Sequence, residues 1–144
     1  MAGSEWGLHD ALLQGIEVDW AAGELRLLVR IKVDEDQRLD RLARISITGL
    51  QYVIVDPPIY EDAVAKTLGK GLWIDDGPGN APKREGHVPT TPEGCFAHWF
   101  FVTEWNSFIQ FCGRHAEFEW LEAEPKAVRS PNLYWPGDEI PDPE

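Results

Sequence analysis

From Phe96 to Glu122 the sequence carries large apolar residues at a spacing of two, broken near Glu104-Trp105-Asn106 and again at Gly113-Arg114. A period of two puts successive side chains on opposite faces of an extended chain. The stretch therefore predicts strands joined as an antiparallel meander, three in number given two breaks. Placing Trp99, Phe101, Ile109, Phe111, Ala116, Phe118 and Trp120 on one face satisfies the alternation in every strand, and that face is the expected core. Each large side chain buried there contributes about 1.5–3 kcal/mol before conformational entropy is subtracted.

The same period governs the N-terminal part. Ile16 and Val18 alternate with Glu17 and Asp19, and Leu25, Leu27, Val29, Ile31 and Val33 alternate with Arg26, Arg30 and Lys32. For both apolar sets to share a face, Val18 must lie opposite Leu25. Trp20-Ala21-Ala22-Gly23 then forms the loop, with Gly23 able to take the positive φ needed at its end. This register sets Glu17 across from Arg26, a pair worth about 0.2–1 kcal/mol.

Ahead of the hairpin, Leu8 to Leu13 is expected to make a short helical turn. After it come a charged connector, Asp34 to Arg38, and renewed strand character from Arg44 to Val55, with Gly49 marking a bulge or a division into two short strands. Pro57-Pro58 ends that run. Tyr60 to Leu68 reads as a short helix, with Val64 and Leu68 four apart, Glu61 and Asp62 in the first turn and Gly69 at the end. Asp75 to Gly94, rich in glycine and proline, reads as a long loop. The fold class expected is mainly antiparallel β (α+β): an N-terminal hairpin plus a strand, a short helical insertion, and a C-terminal three-strand meander. Residues 1–124 form one compact domain. Residues 125–144, with five prolines and four acidic residues after Glu124 among them, form an acidic tail that Tyr134 and Trp135 are expected to dock on the sheet.

At 144 residues the chain suits a single domain, which at this size buries roughly two-thirds of its unfolded surface. Its 13 Lys and Arg against 25 Asp and Glu leave a net charge of -12. Nucleic-acid affinity comes largely from basic groups displacing counterions, so nucleic acid and acidic membrane surfaces are poor candidate ligands; a basic protein is the candidate partner, against the stronger reading that excess acid alone serves solubility. The opening Met-Ala-Gly-Ser-Glu-Trp-Gly has no basic stretch leading into an apolar run, and no segment is long and apolar enough to cross a bilayer. A cytoplasmic address is the expectation, with Cys95 and Cys112 as thiols.

The register that buries Trp99, Phe101 and Phe111 also predicts what lies on the opposite face. His98 falls across from Cys112, and Cys112 across from His115, with Gln110, Glu117 and Glu119 further along. Imidazole and thiolate suit zinc, so His98, Cys112 and His115 are candidate metal ligands, although a flat row is poor tetrahedral geometry and ordinary packing accounts for it better. The six residues together form a candidate ligand or partner patch. A Cys-His pair also raises nucleophilic catalysis, but no nucleophile elbow, oxyanion glycine pattern or orienting acid accompanies it. No catalytic residue and no cofactor is assigned.

Weaker patterns point elsewhere. Asp75-Asp76-Gly77-Pro78-Gly79-Asn80 resembles the start of a calcium loop without its alternating ligands or terminal glutamate, and reads better as a turn. Gly69-Lys70-Gly71 lacks phosphate-loop spacing. His9-Asp10 would need further His and Asp to form a metal site, and His87 is expected to face water. The 7 tryptophans leave a carbohydrate-binding module open, with Trp6, Trp20, Trp73, Trp105 and Trp135 as surface indoles.

The run Leu8-His9-Asp10-Ala11-Leu12, followed by Gly15-Ile16-Glu17-Val18-Asp19-Trp20, the Leu25 to Val33 strand and the C-terminal Phe108-Ile109-Gln110-Phe111 strand, resembles small uncharacterised bacterial β-domain proteins. Some of these are similar to immunity proteins of toxin systems. The resemblance spans about half of the chain and leaves Asp56 to Gly94 outside its pattern. It implies a non-catalytic, immunity-like protein-binding module, and the acidic balance agrees with a basic target. A small-molecule or metal-binding protein or enzyme using the His98/Cys112/His115 face, and a sugar-binding module, stand as the alternatives. A homodimer through a sheet edge or outer face is the assembly to be weighed against them.

Overall fold

The computed structural model describes residues 6–36, 38–59, 71–76 and 88–128. They form β1 (Leu12–Asp19), β2 (Glu24–Lys32), β3 (Leu39–Thr48), β4 (Tyr52–Val55), β5 (Leu72–Asp75), β6 (Phe96–Val102), β7 (Ser107–Gly113), β8 (His115–Trp120) and β9 (Lys126–Ala127). The nine strands make one sheet in the order β4-β7-β6-β5-β1-β2-β3-β8, with β9 added to β3. Every pairing is antiparallel. The fold is thus mainly antiparallel β, and the described residues contain no α-helix. The helix expected over Tyr60 to Leu68 lies outside the described residues, as do His87, Tyr134 and Trp135.

The N-terminal hairpin has the expected register: Val18 lies opposite Leu25 and Glu17 opposite Arg26. Gly23 takes φ +65°, and Asp19 Oδ1 accepts the Ala22 N–H at 3.0 Å, which closes the loop. β1 begins earlier than the periodicity predicts. Leu12 and Leu13 pair with Trp73 and Leu72 of β5 and, on the other side, with β2, so of the helical turn expected over Leu8 to Leu13 only a tight turn remains, closed by Ala11 N donating to Leu8 O at 2.9 Å with Asp10 at φ +67°. Strand β5 has no counterpart among the expected elements, because Leu72-Trp73-Ile74 is a short apolar run with no alternation to mark it.

β3 and β4 are two parts of one bent strand, divided where Gly49 takes φ +62°, as the interruption at Gly49 predicts. β7 and β8 bend beside it. The ladder runs from Tyr52 opposite Cys112 to Thr48 opposite His115. Gln51 N donates to Cys112 O at 2.7 Å and Arg114 N to Thr48 O at 2.9 Å across the corner. Residues 49–51 face only residues 113–114 there, so the corner holds a one-residue bulge. Gly113 permits this approach: a Cβ on it would sit 2.4 Å from Ile47 Cγ2 and 3.1 Å from Thr48 O.

This corner overturns the C-terminal meander. Gly113-Arg114 does not fold β8 back on β7; it carries the strand on to pair with β3 instead. With β7 pairing β4, and β8 pairing β3, the sheet rolls until its pairings form a closed circuit, β3 to β2, β1, β5, β6, β7 and back through β4. Leu25, Leu27, Val29, Ala43, Ile45, Ile47, Ile74, Phe100, Val102, Ile109 and Phe111 fill the inside with no solvent exposure.

The expected parity holds for β7 and β8 and fails for β6. Phe100 pairs with Ile109 and His98 with Phe111, one residue from the predicted register. Phe96, His98, Phe100 and Val102 therefore point inward and Trp99 and Phe101 outward, where both meet the Phe108 ring. The reason is the loop, whose four residues, 103–106, lie between the paired Val102 and Ser107. It closes by Asn106 N donating to Thr103 O at 3.2 Å, with Asn106 at φ +51°, a conformation asparagine tolerates better than most residues. At the far end, β9 pairs Lys126 with Asp40 and Ala127 with Leu39. The first residues of the expected tail therefore belong to the sheet.

Candidate functional site

The predicted row of His98, Cys112 and His115 is not formed. His98 is inside the roll, its ring 5.7 Å from Trp6 and 5.8 Å from Phe111. Cys112 lies on the outer side of β7, opposite Ala97 and Tyr52, and His115 pairs with Thr48 beyond the corner. Among the described residues no group of three His, Cys, Asp or Glu is arranged to hold a metal ion. Gln110, Cys112, His115, Glu117 and Glu119 do share the outer side of the bent β7–β8 strand. At about 3.3 Å per residue, the span from Gln110 to Glu119 is too long for one small ligand.

Their surroundings separate them further. Gln110 is buried and donates from Nε2 to the Tyr52 hydroxyl at 2.9 Å. The Cys112 thiol is fully buried beside Thr91 and Cys95, and burial first, then the Cys95 thiol, pushes its pKa up. A protonated, covered thiol is a poor nucleophile. We expect iodoacetamide to label Cys112 only after unfolding, with labelling of the native protein at a rate like that of a free thiol as the contrary result.

A polar seam that sequence spacing does not connect joins the N-terminal segment to β5 and β6. Asp76 Oδ2 lies 3.1 Å from His98 Nε2, and His9 Nδ1 lies 3.4 Å from Asp75 Oδ1. His9 Nδ1 also accepts the Asp76 N–H at 3.2 Å, so the neutral ring carries its proton on Nε2. Asp10 Oδ1 accepts the Trp73 indole N–H at 2.9 Å, and Lys32 Nζ donates to the Asp10 carbonyl, also at 2.9 Å. Burial lowers the Lys32 pKa against the pull of Asp40 and Asp10. His98 faces Asp76, His9 stands between Asp75 and Asp10, whose Oδ1 is 3.9 Å from His9 Nε2, and the seam ties the N-terminal segment to β2, β5 and β6. The signal in the sequence is His9-Asp10 and Asp75-Asp76, two His/Asp-rich dipeptides whose proximity needs the β1–β5 pairing.

The outer face of β1, β2, β3 and β8 is different in kind. Two rows cross all four strands: Glu17, Arg26, Ser46 and Glu117 in one, and Gly15, Leu28, Arg44 and Glu119 in the next. Together with Glu24 and Leu121 they line an open groove of about 750 Å³. Arg26 pairs with both Glu17 and Glu24, and the Glu17 hydrogen bond leads in raising its pKa. Arg44 Nη2 pairs with Glu119 at 2.7 Å. Glu117 faces Ser46 and has no cation across from it. Asp19, on the same face, lies opposite Glu24, so carboxylates outnumber guanidiniums here.

On its inner side β8 presents aromatics that the roll does not enclose. Phe118 and Trp120 are 36% and 37% exposed, although Ile45 and Ala43 opposite them are fully buried. Their rings meet edge to face at 4.9 Å, and the Arg41 guanidinium stands 4.5 Å from the Trp120 ring. With Trp6, Ile31 and Val33 they border an open mouth of about 600 Å³. Of the five expected surface indoles, Trp20 is exposed at a turn as expected, at 74%, whereas Trp6 and Trp73 are buried and Trp105 packs against the core; Trp135 lies outside the described residues.

Behind β8 a partly buried network, with Asp40 at its buried end and Lys126 exposed, holds the chain. Arg30 Nε donates to the buried Asp40 at 2.8 Å and Arg30 Nη2 to Glu122 Oε1 at 2.9 Å. Glu122 also accepts the Leu42 N–H at 2.9 Å and pairs with Lys126 at 2.7 Å. Lys126 first, then the Leu42 N–H, hold the Glu122 pKa down at about 2.

No family model matches this chain, and neither does any curated protein or solved structure.

Proposed function

We propose that this protein is a non-catalytic binding module whose partner is a basic protein, held on the acidic face of β1, β2, β3 and β8. The observation that carries this reading is Glu117, a carboxylate in a row of cross-strand pairs where Ser46 stands in place of a cation. Around it Glu17, Glu24 and Glu119 share only two guanidiniums, and the chain as a whole carries a net charge of -12. Such a face accelerates encounter with a cationic surface and disfavours anionic ones. An immunity-like role, masking a basic toxin, is the biological form of this reading that the sequence resemblance implies. The scattered positions of His98, Cys112 and His115 give the enzyme alternative no common site.

The test is calorimetric titration with a lysine-rich cationic peptide at low and moderate salt, comparing the native protein with Glu17→Lys/Glu117→Lys. The expected result is binding that weakens with salt and falls at least tenfold in the variant. Equal affinity of the two proteins would remove the acidic face from the function.

A further inference from the structure

The acidic face ends at a strand whose outer edge is unpaired among the described residues. Which backbone groups that edge presents follows from the ladder. Leu121 N donates to Leu42 O at 2.8 Å, continuing the register in which Glu119 faces Arg44 and Glu117 faces Ser46. In an antiparallel ladder hydrogen-bonded pairs alternate with pairs that point their polar groups away. The N–H and C=O groups of Ala116, Phe118 and Trp120 therefore point outward from β8. The same residues send their side chains to the inner side, where Phe118 and Trp120 remain partly exposed.

We propose that β8 takes up an extended segment of the basic partner as an added strand, with Lys or Arg alternating with apolar residues. This rests on the acidic face being the binding face. An added strand satisfies the outward N–H and C=O groups. Its apolar residues lie beside Phe118 and Trp120, extending the enclosed core over their exposed parts, and its cations lie beside Glu117 and Glu119. The chain uses the same arrangement internally, where Arg44 of β3 faces Glu119 and Arg26 of β2 faces Glu17.

Charge also selects against a second copy of this chain as the occupant. Two β8 strands can pair antiparallel through at least two outward-facing residues each in only three registers. These place Phe118 opposite Phe118, Ala116 opposite Phe118, or Phe118 opposite Trp120. They set Glu117 against Glu119, Glu117 against Glu117, or Glu119 against Glu119, respectively, and like charges directly opposite are destabilising. The acidic residues thus protect the edge from self-pairing while leaving it open to a cationic strand.

The test uses the native protein and the peptide acetyl-Lys-Val-Lys-Val-Lys-Val-Lys-amide, with two N-methylated versions, one on every valine nitrogen and one on every lysine nitrogen. N-methylation preserves charge and composition but blocks one edge of an extended peptide. The expected result is that one methylated peptide loses at least tenfold in affinity while the other binds like the parent. Bound peptide should also slow hydrogen exchange at the amides of Ala116, Phe118 and Trp120. If both methylated peptides bind like the parent, with affinity still lost in Glu17→Lys/Glu117→Lys, strand addition is overturned and the acidic-face reading stands. If no peptide shows dependence on those glutamates, both fall. A concentration-dependent dimer that protects the same three amides without peptide would also overturn the inference.

Discussion

The two halves of the bent strand β7–β8 share a period of two and have opposite fates. In β7 every residue but Phe108 is buried, and its outer side carries Gln110 and Cys112 under other parts of the chain. In β8 every residue but Ala116 is exposed, and its outer side carries His115, Glu117 and Glu119 in the open. Both halves alternate apolar with polar residues, and both send their apolar set inward. What separates them is enclosure: β7 lies between β6 and β4, whereas β8 has β3 on one side and an unpaired edge on the other among the described residues. The result is a strand that leaves two aromatics partly exposed beside an unpaired edge, the combination on which the proposed strand addition rests.

Phenylalanine occurs on the inner side of both halves, so the contrast can be measured with one substitution. Phe111→Ala should destabilise the protein by about 3–5 kcal/mol, and Phe118→Ala by about 1–2 kcal/mol, since its ring is only partly withdrawn from water. Urea denaturation of both variants checks this, and equal losses would mean that β8 is enclosed as fully as β7. Gly113→Ala addresses the corner itself. The added methyl meets Ile47 and the Thr48 carbonyl, and overpacking of this kind costs about 1–3 kcal/mol. A variant as stable as the native protein would show that the corner is looser than the backbone contacts require.

A smaller effect, confined to acid, concerns how β8 is anchored. Glu122 is held at a pKa of about 2, against an ordinary value of 4.5. A carboxylate depressed in the folded state contributes stability above its unfolded pKa, and that contribution is lost as pH falls from about 4.5 towards 2. Glu122→Gln should therefore flatten the acid limb of the stability profile over that window, as read from urea midpoints. An unchanged limb would assign the acid sensitivity to other carboxylates. The least change is expected from Glu117→Lys, which should alter stability by no more than about 0.5 kcal/mol while weakening binding of a cationic peptide. A large loss of stability there would make Glu117 a structural residue.

Much of the inner face is legible in the residue pattern. Ile16, Val18, Leu25 to Ile31, Ile109, Phe111, Ala116 and Phe118 follow their local alternation, and the Glu17–Arg26 pairing comes from matching two such patterns across one loop. The β6 register differs from its expectation because one additional loop residue inverts every side chain of a strand, and Asn106 in a left-handed conformation is a subtle signal of loop length. Of the candidate patch, the outward set of β7 and β8 follows from alternation, whereas His98 is excluded from it by that same inversion. The His9–Asp75 and His98–Asp76 contacts are illegible for another reason: residues distant in sequence meet there only because a four-residue strand without alternation, β5, lies between β1 and β6.

By itself the sequence determined which residues alternate, that the domain is antiparallel β, and that it carries a net charge of -12, because side-chain period is set between neighbours along the chain and net charge is a sum over it. Beyond the β1–β2 and β6–β7 hairpins, tertiary structure decided which strands became neighbours. Gly113-Arg114 is locally compatible with a tight hairpin, but the strand runs past that turn to β3, and the missing Cβ of Gly113 permits the close approach of Ile47 and Thr48 there. That long-range contact leaves β8 at an edge, with its aromatics half open and Glu117 without a facing cation.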